Sequence, residues 1–144
     1  MNVDHNAPLV TRREIVIDAP LEVVWKLQTD FRAWPDWQGN IASVNMEGDL
    51  APGTVFYWKA NGIKIVSTLQ EVEPMRRISW TGTSPGMRAI HIWNFEPSDG
   101  GVRVVTEESL SGWFASLLKL FDRHFLEKSL EESLGTLKRS AVKL

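Results

Sequence analysis

Cysteine is absent from this 144-residue chain, which excludes disulfides, thiol nucleophiles and thiolate metal sites. Histidine is scarce. His5, His91 and His124 are the only three, and none has the spacing of a helical ligand pair, so no metal is expected. Neither sign of charge dominates: 16 Lys and Arg stand against 18 Asp and Glu, a net charge of −2. That argues against nucleic acid, whose binding needs a concentrated basic surface. No apolar run approaches the roughly 20 residues that span a bilayer, so no stable membrane insertion is expected. Met1 to Asn6 carry neither the basic residues nor the apolar core of a signal peptide, which makes the cytoplasm the expected location. There is no Gly-rich phosphate loop and no GxSxG elbow. Tyrosine occurs once, but tryptophan occurs seven times, and such large aromatic planes line cores and apolar pockets alike.

The length suits one domain, 1–144, able to bury a real core, with residues 1–10 expected to be a flexible N-terminal segment. Arg13-Glu14-Ile15-Val16-Ile17 alternates as a first strand. Asp18-Ala19-Pro20 then marks a helix start, and an apolar stripe runs from Leu21 to Leu27. The short segment Phe31 to Trp37 leads into a second strand near Ile41 to Met46. Five hairpin-linked strands follow, and the pattern from Trp113 to Val142 is helical. The order predicts an α+β fold with a strongly curved antiparallel sheet of about seven strands. Two short helices fall between its first two strands.

The hairpins fix a register. Asn61-Gly62 between alternating runs is the strongest hairpin signal, because a two-residue primed turn needs positive φ at both central positions. It sets Ala60 opposite Ile63, Trp58 opposite Ile65 and Phe56 opposite Ser67. A turn at Glu73 to Arg76 sets Leu69 beside Trp80 and Glu71 beside Ile78. Four-residue turns at Thr83 to Gly86 and Pro97 to Gly100 set Trp80 beside Ala89, Ile78 beside His91, Trp93 beside Val104 and His91 beside Thr106. Opposite residues in an antiparallel pair share a face, and a one-residue slip would exchange the faces. One face then carries Phe56, Trp58, Ile65, Ser67, Leu69, Glu71, Ile78, Trp80, His91, Trp93, Val104, Thr106 and Glu108. The other carries most of the charge, interrupted by Tyr57, Val66, Ile90, Ile92 and Val105.

The last helical stretch holds two stripes. At about 100° per residue, Trp113, Phe114, Leu117, Leu118, Phe121 and Phe125 share one face. Leu126, Leu130, Leu134, Leu137 and Ala141 lie nearly opposite. One straight helix cannot bury both against one sheet, so a break is expected near Asp122 to Phe125. The leucine segment should cross the apolar face, with the aromatic segment packing over an end of the sheet or forming a movable lid.

Ile15-Val16-Ile17-Asp18-Ala19-Pro20 with Val24-Trp25, Trp34-Pro35-Asp36-Trp37, Val72-Glu73-Pro74, Ile78-Ser79-Trp80, Trp93-Asn94-Phe95-Glu96-Pro97 and Glu107-Glu108-Ser109 before Gly112 together resemble the helix-grip superfamily. This superfamily (SRPBCC) contains polyketide cyclases/dehydrases, START lipid-transfer domains and the birch-pollen-allergen fold. The resemblance runs from about Thr11 to Lys143 and is greatest to the bacterial polyketide cyclase/dehydrase-type members. It implies a sheet wrapped around a long C-terminal helix, enclosing a deep cavity for an apolar molecule, usually without metal or organic cofactor. Fold does not fix activity.

The residues expected to line such a cavity are Phe56, Trp58, Ile65, Ser67, Leu69, Ile78, Trp80, His91, Trp93, Val104, Thr106, Phe121, Leu126 and Leu130. His91 could act as a general acid or base, or could hydrogen-bond a ligand carbonyl. Glu108, on the same face, would have a raised pKa in an apolar pocket and could exchange a proton. Three function classes follow. The first is a carrier or sensor of a small apolar or amphipathic molecule: a lipid, polyketide or aromatic metabolite. The second is a cofactor-free cyclase or dehydratase using His91 and Glu108. The third is an interaction domain whose outer face meets a partner, a homodimer among the forms it could take.

Overall fold

The computed structural model describes residues 1–144. Strand β1 (Leu9–Ile17) is followed by helix α1 (Leu21–Thr29), a 3₁₀ turn (Phe31–Ala33) and the short helix α2 (Trp34–Trp37). Strands β2 (Ile41–Met46), β3 (Val55–Ala60), β4 (Ile63–Glu73), β5 (Arg77–Ser84), β6 (Met87–Ser98) and β7 (Gly101–Ser111) come next. Helices α3 (Trp113–Phe121) and α4 (Phe125–Ala141) end the chain. The seven strands form one antiparallel sheet in the order β1-β7-β6-β5-β4-β3-β2, with α4 lying against β1, β7 and α1. This is the α+β helix-grip fold expected from the sequence.

The β3–β4 hairpin has the expected register, with Asn61 and Gly62 both at positive φ. The next two registers differ by two residues from expectation. Ser84 pairs with Met87 and Ser98 with Gly101, so Pro85-Gly86 and Asp99-Gly100 are two-residue turns. Positive φ at Gly86 and Gly100 makes such tight turns possible. Trp80 therefore faces His91 and Ile78 faces Trp93. Across the following pair, His91 faces Glu108, Trp93 faces Thr106 and Phe95 faces Val104. A two-residue slide preserves the faces, which is why the inner face survived the miscounted loops.

Glu71 did change faces. The β4–β5 loop is odd, with Glu73 paired to Arg77, and an irregularity between Leu69 and Glu71 restores the register beyond it. That bulge turns Glu71 outward. There it accepts hydrogen bonds from Ser79 Oγ at 2.7 Å and Arg77 Nε at 3.1 Å. Burial alone would raise its pKa, but these two donors hold it below the ordinary carboxylate value.

The outer face is partly covered by the chain itself. Within residues 1–10, Leu9 and Val10 belong to β1, and Met1 and Asp4 are hydrogen-bonded to the outer face. The Asp4 N–H donates to Ser109 Oγ at 3.0 Å, and Arg77 donates to the Met1 carbonyl. Val3 is buried, as are the outward-facing Ile92 and Val105. The apolar outer residues thus divide, with Tyr57 and Val66 left exposed.

The expected break falls at residues 122–124, between α3 and α4. Leu126, Leu130, Leu134, Leu137 and Ala141 are all buried, each leucine worth about 1.5–3 kcal/mol of apolar transfer. Helix α3 buries Ala115 and leaves Trp113, Leu117, Leu120 and Phe121 exposed. It starts at Gly112, whose φ of 105° and close approach to the Gly86 carbonyl leave no room for a Cβ.

Candidate functional site: an apolar cavity with a His–Glu pair

The buried apolar side chains form two clusters rather than one. The larger joins the sheet to α1, α2 and the end of α4 through Leu134, Leu137 and Ala141. The smaller joins Leu9, Leu110 and Ala115 to Leu126, at the start of α4. Between them a cavity of about 170 Å³ separates the concave face of the sheet from α4. The facing positions on α4 explain the gap. Ser129 and Ser133 line the cavity beside Leu126 and Leu130, and short side chains there leave space that longer ones would fill.

From the sheet, Trp58, Ile65, Ser67, Trp80, His91, Trp93 and Glu108 line the cavity. Trp34 closes one end, within an aromatic cluster that includes Phe31, Phe56 and Trp80. Gln38, Asn40, Asn61, Phe125, Ser129 and Ser133 also belong to an adjoining polar depression containing Asp122, Lys128, Glu132 and Thr136. The mouth therefore lies between α4, the β3–β4 turn and the α2–β2 connection.

Of the residues expected to line a cavity, Trp58, Ile65, Ser67, Trp80, His91, Trp93, Leu126 and Leu130 do so. Phe56, Leu69, Ile78 and Val104 do not; they are fully buried in the larger cluster, because α1, α2 and the end of α4 cover that part of the sheet. Thr106 stands behind His91 without reaching the cavity wall. Phe121 is 80% exposed on α3, since the helix breaks one residue later and turns it outward. Sequence reasoning missed Gln28, Gln38, Asn40, Met87, Ala89, Leu110, Phe125, Ser129 and Ser133 among the lining residues. The pair Ser129 and Ser133, four apart beside the leucine stripe, was a usable signal.

His91 and Glu108 are direct cross-strand partners on β6 and β7. His91 sits between two indoles, its ring centroid 5.0 Å from Trp80 and 5.3 Å from Trp93. Its Nε2 is 2.9 Å from Thr106 Oγ1, and its Nδ1 is 3.6 Å from Glu108 Oε2. Their side chains are only 12% and 16% exposed. Burial lowers the His91 pKa to about 3 and raises that of Glu108 to about 8. At neutral pH both groups are uncharged: an imidazole facing a carboxylic acid. No Lys or Arg lines the cavity to reverse this. Ser67 accepts a hydrogen bond from Trp58 Nε1 at 3.0 Å and has no base beside it. No group of three or more His, Cys, Asp or Glu side chains could hold a metal ion, and no helix is long and apolar enough to cross a membrane.

A curved antiparallel sheet gripping a C-terminal helix over an apolar cavity defines the START and birch-pollen-allergen class of fold. Residues 9–142 match the family described as polyketide cyclase / dehydrase and lipid transport, and the chain belongs to that family. Solved structures share the fold at low identity. A hypothetical protein of Helicobacter pylori superposes with a TM-score of 0.86 at 20% identity, covering 96% of this chain and 91% of its own. The Zhui aromatase/cyclase of Streptomyces gives 0.80 at 13% identity, covering 93% of each chain. A START superfamily protein of Mycobacterium smegmatis gives 0.75 at 11%, covering 93% and 97%. Among curated proteins no significant match is found.

Proposed function

We propose that this protein holds a small apolar or amphipathic molecule between its sheet and α4, as a carrier or sensor. The carrying observation is the cavity itself. It separates two apolar clusters, 14 of its 25 lining residues are hydrophobic, and its mouth is polar. Apolar walls with a few fixed polar groups are what small-molecule binding requires. Native mass spectrometry of protein purified gently from its own host tests this. A small-molecule adduct lost on denaturation is the expected result. A bare mass, with no uptake of added apolar compounds, would count against it.

A second reading is a cofactor-free cyclase or dehydratase in which His91 and Glu108 move protons. It is favoured by one feature: an uncharged acid and an imidazole side by side on the cavity wall, 3.6 Å apart, so that a bound substrate could take a proton from one and give a proton to the other. On this reading His91→Ala abolishes turnover of a reactive chain, whereas on the carrier reading it changes affinity only a few-fold. The outer face gives less support to an interaction domain, since Ile92 and Val105 are already buried.

A further inference from the structure

The hydrogen-bond chain behind His91 bears on which ring nitrogen is bare. Thr106 has one hydroxyl hydrogen, and its Oγ1 donates to the Ile92 carbonyl at 3.2 Å. With that hydrogen on the Ile92 carbonyl, the contact with His91 Nε2 at 2.9 Å is a donation from the imidazole. In this arrangement Nε2 carries the proton and Nδ1 keeps a lone pair on the cavity side. Glu108 Oε2 lies 3.6 Å from that nitrogen, beyond hydrogen-bond reach. The cavity wall thus offers an acceptor and a carboxyl group side by side, set among Trp58, Trp80 and Trp93.

We infer that the cavity selects an uncharged hydroxylated aromatic molecule, whose hydroxyl sits between His91 Nδ1 and the Glu108 carboxyl. The inference rests on the ligand-binding reading and narrows it. A hydroxyl can donate to Nδ1 while accepting from Glu108, so it meets both groups with one atom. A hydrocarbon of the same shape would desolvate both and satisfy neither, which is how a site built for a hydroxyl rejects the analogue lacking it. A carboxylate would bring a charge into a cavity whose lining has no Lys or Arg, an arrangement apolar surroundings strongly disfavour. Burial keeps Glu108 protonated up to about pH 8, so the carboxyl is a donor at neutral pH. The indoles supply flat apolar walls suited to an aromatic ring.

Three probes of one shape test this: 2-naphthol, naphthalene and 2-naphthoate, titrated at pH 7 by calorimetry or tryptophan quenching. Wild type is expected to bind 2-naphthol at least about tenfold tighter than naphthalene, and 2-naphthoate more weakly than either. His91→Phe, which keeps an aromatic ring but removes the lone pair, should bring 2-naphthol down to the affinity of naphthalene. Glu108→Leu should do the same, and gives the comparison if His91→Phe does not fold. Equal binding of all three probes would overturn the inference while leaving the carrier reading intact. So would 2-naphthoate binding tightest, or a naphthol preference that survives both variants. Binding of none of the three would overturn both.

Discussion

Replacing Glu108 by glutamine should remove a loss of stability that wild type suffers as the pH rises. The Glu108 side chain is 16% exposed, and burial raises its pKa from 4.5 to about 8 in the folded protein. Above pH 4.5 the unfolded chain releases this proton while the folded chain keeps it. The unfolded state therefore binds fewer protons, and stability falls with pH at about 1.4 kcal/mol per unit until the folded group ionises near pH 8. The full loss is on the order of 5 kcal/mol, a large share of a small domain's stability. His91 works in the opposite sense on the acid side. Its folded pKa is about 3 against 6.5 for the free side chain, so its contribution is intact above pH 6.5 and is lost as pH falls towards 3. Glutamine cannot ionise, so Glu108→Gln keeps the His91 branch and loses the Glu108 branch. Urea unfolding followed by tryptophan fluorescence, at unit steps from pH 5 to 9, measures both proteins. The variant should gain on wild type by about 1.4 kcal/mol per pH unit between pH 5 and 8, with no further gain above. Parallel curves across that range would refute the assignment of a buried, uncharged Glu108.

Other substitutions test the packing. Trp93→Ala removes a fully buried indole from the cavity wall and should cost about 3–5 kcal/mol in urea unfolding. Leu137→Ala, in the larger cluster, should cost about 2–5 kcal/mol by the same measurement without changing probe affinity, since Leu137 does not line the cavity. Ser129→Leu should fill space at the cavity, raising stability by about 0.5–2 kcal/mol while abolishing ligand binding in calorimetry. Gly112→Ala should cost at least about 1–3 kcal/mol in thermal or urea unfolding, because its backbone region is nearly closed to other residues and its Cβ would collide with the Gly86 carbonyl oxygen.

The fold was legible because alternation is a strong constraint. Asn61-Gly62 fixed one hairpin, and the remaining strands kept their faces through turns counted two residues too long. Periodicity in the last helix was equally informative, since two opposed apolar stripes required the break found at residues 122–124. The site was less legible. Which residue faces His91 depends on absolute register, and Pro85-Gly86 and Asp99-Gly100 do not reveal from composition whether two or four residues make the turn. The bulge after Leu69 offsets an odd loop and leaves no compositional mark, so Glu71 was assigned to the wrong face. Cavity lining is a property of depth as well as of face. Phe56, Ile78 and Val104 point inward like Trp58 and Trp93, but helices cover them.

The short turns also say something about how such a protein could diversify. Glu108 meets His91 only because Asp99-Gly100 closes the β6–β7 hairpin in two residues. Two residues inserted into β7 just after Gly100, with Asp99-Gly100 still the turn, would leave every inward side chain inward and slide β7 along β6 by one pair. His91 would then look across at Thr106, and the acid would move away, without any change in the residues of the site. A single inserted residue would instead turn β7 inside out, unless a bulge like the one after Leu69 absorbed it. Paired insertions at the sheet's rim are thus a route by which a lineage could gain or lose an acid beside an imidazole while the fold and its core stayed as they were.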